Sequence, residues 1–163
     1  MNHITKASNK CLDLIKSFEG FYSSPYLCPA KVATIGYGTT YYPDGKRVTL
    51  SDPPIDEVMA ATLLQSNLAN YERGVDAMTR DDITQNQFDA LVSFAYNVGL
   101  NNLKNSTLLK LVNANPNNKN IRKEFLKWVH ANGKKLKGLE RRRQAEAELY
   151  FITTKKEGKV DAI

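Results

Sequence analysis

Glu19-Gly20-Phe21-Tyr22-Ser23-Ser24-Pro25-Tyr26-Leu27-Cys28-Pro29-Ala30-Lys31-Val32-Ala33-Thr34-Ile35-Gly36-Tyr37-Gly38 passes from the end of a helix to a hairpin strand. Upstream, Cys11, Leu14, Ile15 and Phe18 fall at i, i+3, i+4 and i+7. That spacing predicts a helix with one apolar face, starting between Thr5 and Ser8 and stopped by Gly20. Glu19 is then its last residue. The unpaired carbonyls and negative dipole of a helix C-terminus disfavour an ionised carboxylate there, and a general acid needs its proton at neutral pH. The alternative is a solvated glutamate ahead of a glycine cap. Downstream, Val32 to Tyr37 is β-branched and aromatic, and Gly36, Gly38, Thr39 and Thr40 close it, as in a hairpin strand. A threonine hydroxyl at Thr34 beside Gly36, where a ligand could near the backbone, suits the holding of a water or a sugar hydroxyl.

These residues carry a resemblance. Glu19-Gly20 is followed by Tyr26 seven residues after the glutamate, Cys28 nine after it and Thr34 fifteen after it within Thr34-Ile35-Gly36-Tyr37-Gly38. Further along stand Thr84-Gln85-Asn86-Gln87-Phe88, Asn97-Val98-Gly99, Asn105-Ser106-Thr107, Phe125 with Trp128, and Gly138-Leu139 leading to Arg142, Arg143 and Glu146. From about Thr5 to Tyr150 the chain resembles the phage-type lysozymes, the endolysins grouped as glycoside hydrolase family 24. The resemblance implies an α+β, lysozyme-like fold: a small hairpin-sheet lobe and a larger all-helical lobe joined by a long helix, with a glycan in the cleft between them. It implies a muramidase that cleaves the β-1,4 bond between N-acetylmuramic acid and N-acetylglucosamine. Glu19 would protonate the glycosidic oxygen, Thr34 would position water, and Cys28 would assist that water or the developing positive charge. Tyr26, Gly36, Tyr37 and Asn97 would support the site.

An inverting glycosidase needs two carboxyl groups, and the second position holds Cys28. A nearby carboxylate raises a thiol pKa and positive charge lowers it. Cys28 is read as a thiolate base or nucleophile, as a polarisable group, or as a small hydrophobe under the hairpin. Asp44 lies in Pro43-Asp44-Gly45, a turn. With one carboxyl in place, a lytic transglycosylase that leaves a 1,6-anhydro end is an alternative, and a non-catalytic wall-glycan binder is a second.

The 163 residues carry 23 Lys and Arg against 17 Asp and Glu, a formal charge of +6 that favours anionic partners such as bacterial peptidoglycan. No zinc spacing, helix-turn-helix or ribonucleoprotein motif accompanies that charge, so nucleic acid is not expected as a partner. Arg142 and Glu146, at i and i+4, read as a structural pair or a solvated face. Cys11 and Cys28 read as free thiols. His3 and His130 lack ligand company in sequence, so neither metal nor cofactor is expected. No apolar run would span a bilayer and no signal segment is seen, so membrane insertion is not expected. By resemblance the protein is a monomer that waits in the host cytoplasm until a holin opens the way to the wall.

One lysozyme-like domain is expected over 1–163: a small lobe over 19–55, a linking helix over 54–78 and a helical lobe from 5–18 with 80–153. Ser51 or Asp52 with Pro53-Pro54 would start the linking helix, with Val58, Ala61, Thr62 and Leu68 marking its pattern. Thr84 and Gln87 form a capping box, with Ile83 and Phe88 as a staple. Phe88, Leu91, Val92, Ala95 and Val98 make a core stripe that Gly99 ends. Asn105 or Ser106 caps a short helix to Asn113. Ile121, Phe125, Trp128 and Val129 pack the next helix, to Gly133, with Trp128 in the core rather than under a sugar. A last helix runs from Gly138 to Thr153, and 155–163 reads as a frayed tail.

Overall fold

The computed structural model describes residues 3–153, so the tail from Lys155 lies outside the described residues. The elements in chain order are α1 Asn9–Glu19, β1 Tyr22–Leu27, β2 Ala33–Gly36, α2 Glu57–Met78, α3 Gln85–Val98, α4 Leu100–Lys104, α5 Thr107–Ala114, α6 Asn120–Leu126, β3 His130–Ala131, β4 Lys134–Lys135 and α7 Lys137–Phe151. The chain divides into two compact units, one of residues 12–70 and one of residues 1–11 with 71–163.

In the unit 12–70, α1 ends where the sequence places its end. Gly20 takes φ +74, a left-handed conformation that only glycine adopts without cost, and its N–H donates to the Lys16 carbonyl at 3.0 Å. β1 and β2 pair antiparallel, Tyr22 opposite Gly36, Tyr26 opposite Thr34 and Leu27 opposite Ala33. β1 therefore uses four residues where β2 uses two, and Pro25, which has no N–H for a ladder, sits in that bulge. β2 ends at Gly36 rather than Tyr37: Ile35 and Thr39 exchange N–H···O bonds of 2.9 Å across a tight turn. Pro43-Asp44-Gly45 is a turn, with the Asp44 carboxylate accepting from the Lys46 N–H at 3.0 Å.

The long helix α2 starts at Glu57, later than Pro53-Pro54 suggests. Asp56 caps it instead, its side chain accepting the Met59 N–H at 2.8 Å, while the Ile55 N–H is held by the Ser23 carbonyl at 2.8 Å. Its buried face keeps Leu68 of the sequence pattern but not Val58 or Thr62. Val58 is 76% exposed, whereas Ala60, Leu63, Leu64, Leu68 and Val75 are buried.

In the other unit, α3 is the central helix, buried from Asn86 through Ala95. The Thr84–Gln87 capping box forms in both directions, and Gly99 at φ +95 ends the helix. Phe94 meets Phe125 and Trp128 edge-on, with centroids 5.6 and 5.5 Å apart, and Phe125 meets Tyr150 at 5.8 Å. Ser106 caps α5 through the Leu109 N–H. The helix expected to run to Gly133 stops at Leu126. Asn132 and Gly133, both at positive φ, turn a hairpin between β3 and β4, the geometry that an Asn-Gly pair favours.

Candidate active site

Four of the residues picked out in sequence come together in the unit 12–70. Glu19, half-buried, closes α1, and two residues of turn lead directly into β1. Tyr26 lies opposite Thr34 across the hairpin, which puts their side chains on one face of it. The Tyr26 phenol is raised above its ordinary value, first by burial and then by the negative charges of Tyr22, Glu19 and Cys28 around it. Glu19, Cys28 and Thr34 are thus gathered about Tyr26.

Cys28 opens the turn that joins the two strands. Its N–H donates to the Val32 carbonyl at 3.1 Å, and its carbonyl accepts the Lys31 N–H at 2.7 Å, with Lys31 at φ +62. That conformation turns backbone N–H groups on the sulfur. The Cys28 thiol is lowered below its ordinary value, by the backbone of Val32 first, then that of Ala30 and the Thr34 hydroxyl, against a smaller opposing effect of burial. The turn therefore makes this thiol easier to ionise than an ordinary one. Cys28 is a free thiol, half-buried at the head of this turn. Cys11 is the contrast, fully buried and with its thiol pushed far up by desolvation.

Thr34 is only 3% exposed and its hydroxyl donates to the Val32 carbonyl at 2.9 Å. That hydroxyl has one proton to share between this carbonyl and the Cys28 sulfur. Gly36 takes φ +66, and a Cβ there would lie 3.1 Å from the Ala60 Cβ and 3.4 Å from Ile55. The sequence suggests room for a ligand at this glycine, but the room is taken by the packing of β2 on α2. Tyr37 is buried, 5.8 Å from the Phe21 ring, with its hydroxyl donating to Glu57 at 3.4 Å. Asn97 lies in the other unit, at the end of α3. Its Oδ1 accepts a hydrogen bond from Arg143 Nη2, and it lines a groove of about 360 Å³ with Asn102, Trp128 and Leu136. Trp128 is half-buried, packed on Phe94 on one side and bordering this groove on another.

Arg142 and Glu146 are no solvated face. Arg142 Nε lies 3.2 Å and Arg143 Nη1 3.0 Å from the Glu146 carboxylate, which also accepts from Ser93 Oγ at 2.6 Å, all of it buried. Burial pushes Glu146 up and the two guanidiniums oppose it. The ladder from Ser93 to this cluster has no signature in sequence.

His3 does have ligand company, which its sequence neighbours hide. It hydrogen-bonds Asp76, and its Nδ1 lies 3.4 Å from Asp81. Among the described residues these three offer one grouping of ligand atoms within 4.8 Å of one another. His3 and Asp81 are exposed and Asp76 is half-buried, and the imidazole already has a carboxylate partner, so a cation would have to displace that pair.

The family described as phage lysozyme matches residues 16–146. An endolysin of Bacillus phage B103 is 44% identical over 86% of this chain, and this chain spans 52% of that protein's length. Among solved structures, an endolysin from the Escherichia coli O157:H7 phage FAHEc1 superposes with a TM-score of 0.82 at 36% identity, covering 92% of this chain and 95% of that one. The muramidase domain of SpmX from Asticaccaulis excentricus superposes with a TM-score of 0.75 at 33% identity, covering 92% of this chain and all of that one.

Proposed function

Since the chain belongs to the phage lysozyme family, we propose that it degrades bacterial peptidoglycan by hydrolysing the β-1,4 bond between N-acetylmuramic acid and N-acetylglucosamine. The observation that carries this reading is the hairpin that sets Tyr26 opposite Thr34, with Glu19 at the helix end just before β1 and Cys28 in the turn just after it. Glu19 gives its proton to the glycosidic oxygen as the bond to the anomeric carbon breaks. A water attacks that carbon and passes its proton to the Cys28 thiolate, so the products are a sugar hydroxyl and a reducing end. Thr34 acts through the sulfur: its buried hydroxyl favours the thiolate that takes the proton.

The similarity to a muramidase domain supports the choice of bond, and the charge of +6 suits a wall rich in acidic groups. No helix among the described residues is long and apolar enough to cross a membrane. In this reading the protein acts as a monomer and reaches the wall after a holin opens the membrane.

Mass spectrometry of soluble fragments released from purified peptidoglycan tests it, with Glu19→Gln run in parallel. Reducing disaccharide-peptides should fall by about a hundredfold or more in the variant, the size of a lost general acid. Anhydro ends would make the protein a transglycosylase. The same yield from both proteins would remove Glu19 from the chemistry, and no fragments from either would leave only binding.

A further inference from the structure

Tyr22 has no part in the chemistry above, and its position is hard to account for by packing. It is 44% exposed, so it adds little to the core of its unit. A single exposed aromatic is ordinary on a protein surface. Tyr22 is not single, however: its ring lies over that of Tyr26, with centroids 4.1 Å apart and planes tilted by 33°. The bulge in β1 is what brings the rings together. Four residues of β1 face two of β2, and the irregularity carries Tyr22 above Tyr26 rather than farther along the strand. Each ring therefore has one face against the other, and Tyr22 is the more exposed member of the pair.

We propose that Tyr22, backed by Tyr26, is a carbohydrate platform on which a pyranose ring of the glycan strand stacks next to the scissile bond. The inference rests on the reading of Glu19 as the acid acting on that strand. An aromatic face carries partial negative charge and matches the partly positive C–H face of a sugar, while the ring edges and hydroxyls stay wet. β1 carries both tyrosines between Glu19, which closes α1 just before the strand, and Cys28, which follows the strand directly, so the stack lies on the segment that joins the reacting groups. Only two side-chain torsions need to be held in each tyrosine, and the stack already holds them, so little freedom is lost when a sugar binds.

Tyr22→Leu and Tyr22→Phe test this on soluble, uncrosslinked glycan strands. Leucine keeps apolar bulk but has no ring, and phenylalanine keeps the ring without the hydroxyl. Tyr22→Leu should raise KM about fivefold and lower kcat far less, as expected for one aromatic stacking contact, while Tyr22→Phe should recover most of the loss. In a Glu19→Gln background, where the strand stays intact, NMR titration with the same strands should shift the Tyr22 ring protons. An unchanged KM in Tyr22→Leu, or strand binding that leaves the Tyr22 ring signals unmoved, would overturn the platform. Thermal denaturation of both variants guards against a misfolded protein, because only a KM effect in a protein of unchanged stability supports a platform. Turnover by Glu19→Gln at the wild-type rate would count against the acid, and it is read separately from the ring shifts.

Discussion

The hairpin around Cys28 and the charge cluster around Glu146 both hold ionisable groups out of bulk water, yet they do so in opposite ways. Glu146 is wholly buried, and its charge is met by two guanidiniums and a serine hydroxyl. Cys28 is half-buried, and backbone N–H groups of its own turn are aimed at the sulfur. Side-chain charges that answer each other in a dry interior stabilise one packing, and breaking one leaves another uncompensated. Backbone donors around a partly open sulfur cannot move away and stabilise its charged form while leaving it accessible. The first arrangement suits structure and the second suits chemistry.

The largest expected effect is on the cluster. Glu146→Ala should cost about 3–5 kcal/mol of stability, because it takes the carboxylate from two buried guanidiniums, and urea denaturation would show it as a lowered midpoint at unchanged slope. A loss below about 1 kcal/mol would mean that the guanidiniums find other partners, and the contrast would fail.

Cys28→Ala should behave in the reverse way. Wall lysis should drop by about a hundredfold, while the denaturation midpoint moves by no more than about 0.5 kcal/mol. Cys28→Asp should keep much of the activity, since a carboxylate can also take a proton from water. Full activity in Cys28→Ala would remove the thiol from the mechanism. Alkylation followed by mass spectrometry sharpens this: Cys28 should react at a lower pH than an ordinary thiol, and Cys11, buried and raised, should not react in the folded protein.

The smallest effect belongs to an exposed pair. His3 is raised above its ordinary value chiefly by its hydrogen bond to Asp76. A raised folded-state pKa gives stability that is fully present below the unfolded value of about 6.5 and is lost as pH rises through the higher folded value. Wild type should therefore exceed His3→Ala in denaturation midpoint at about pH 5 by a small margin, and that margin should vanish by about pH 9. A margin that grew with pH would show that the imidazole stabilises in its neutral form.

Local signals were legible and long-range ones were not. The Gly20 stop, the Thr84–Gln87 box, the Gly99 end and the Ser106 cap all formed, because each is settled by backbone groups within four residues. The β3–β4 hairpin was hidden although Asn132-Gly133 is a strong hairpin pair. The apolar run Ile121, Phe125, Trp128 and Val129 keeps helical spacing past Leu126, but the Val129 carbonyl accepts the Leu136 N–H at 2.9 Å, which no helix allows. The start of the buried face of α2 escapes sequence for a related reason. Val58 and Ala60 are both apolar, and only the closeness of Ala60 to Gly36 tells which of them is buried.

Short-range signals set the end of α1 at Glu19, the hairpin that follows, and which residues stand at the spacings of a phage lysozyme. These depend on glycine conformations, caps and residue order, all properties of short stretches. It took the folded chain to show that Thr34 is buried and that the β1 bulge stacks Tyr22 on Tyr26. The fold also placed Arg142, Arg143 and Glu146 in a dry interior with Ser93, 53 residues before Glu146 in sequence. Burial and electrostatic environment depend on which distant segments supply the surroundings, and sequence order does not carry that information.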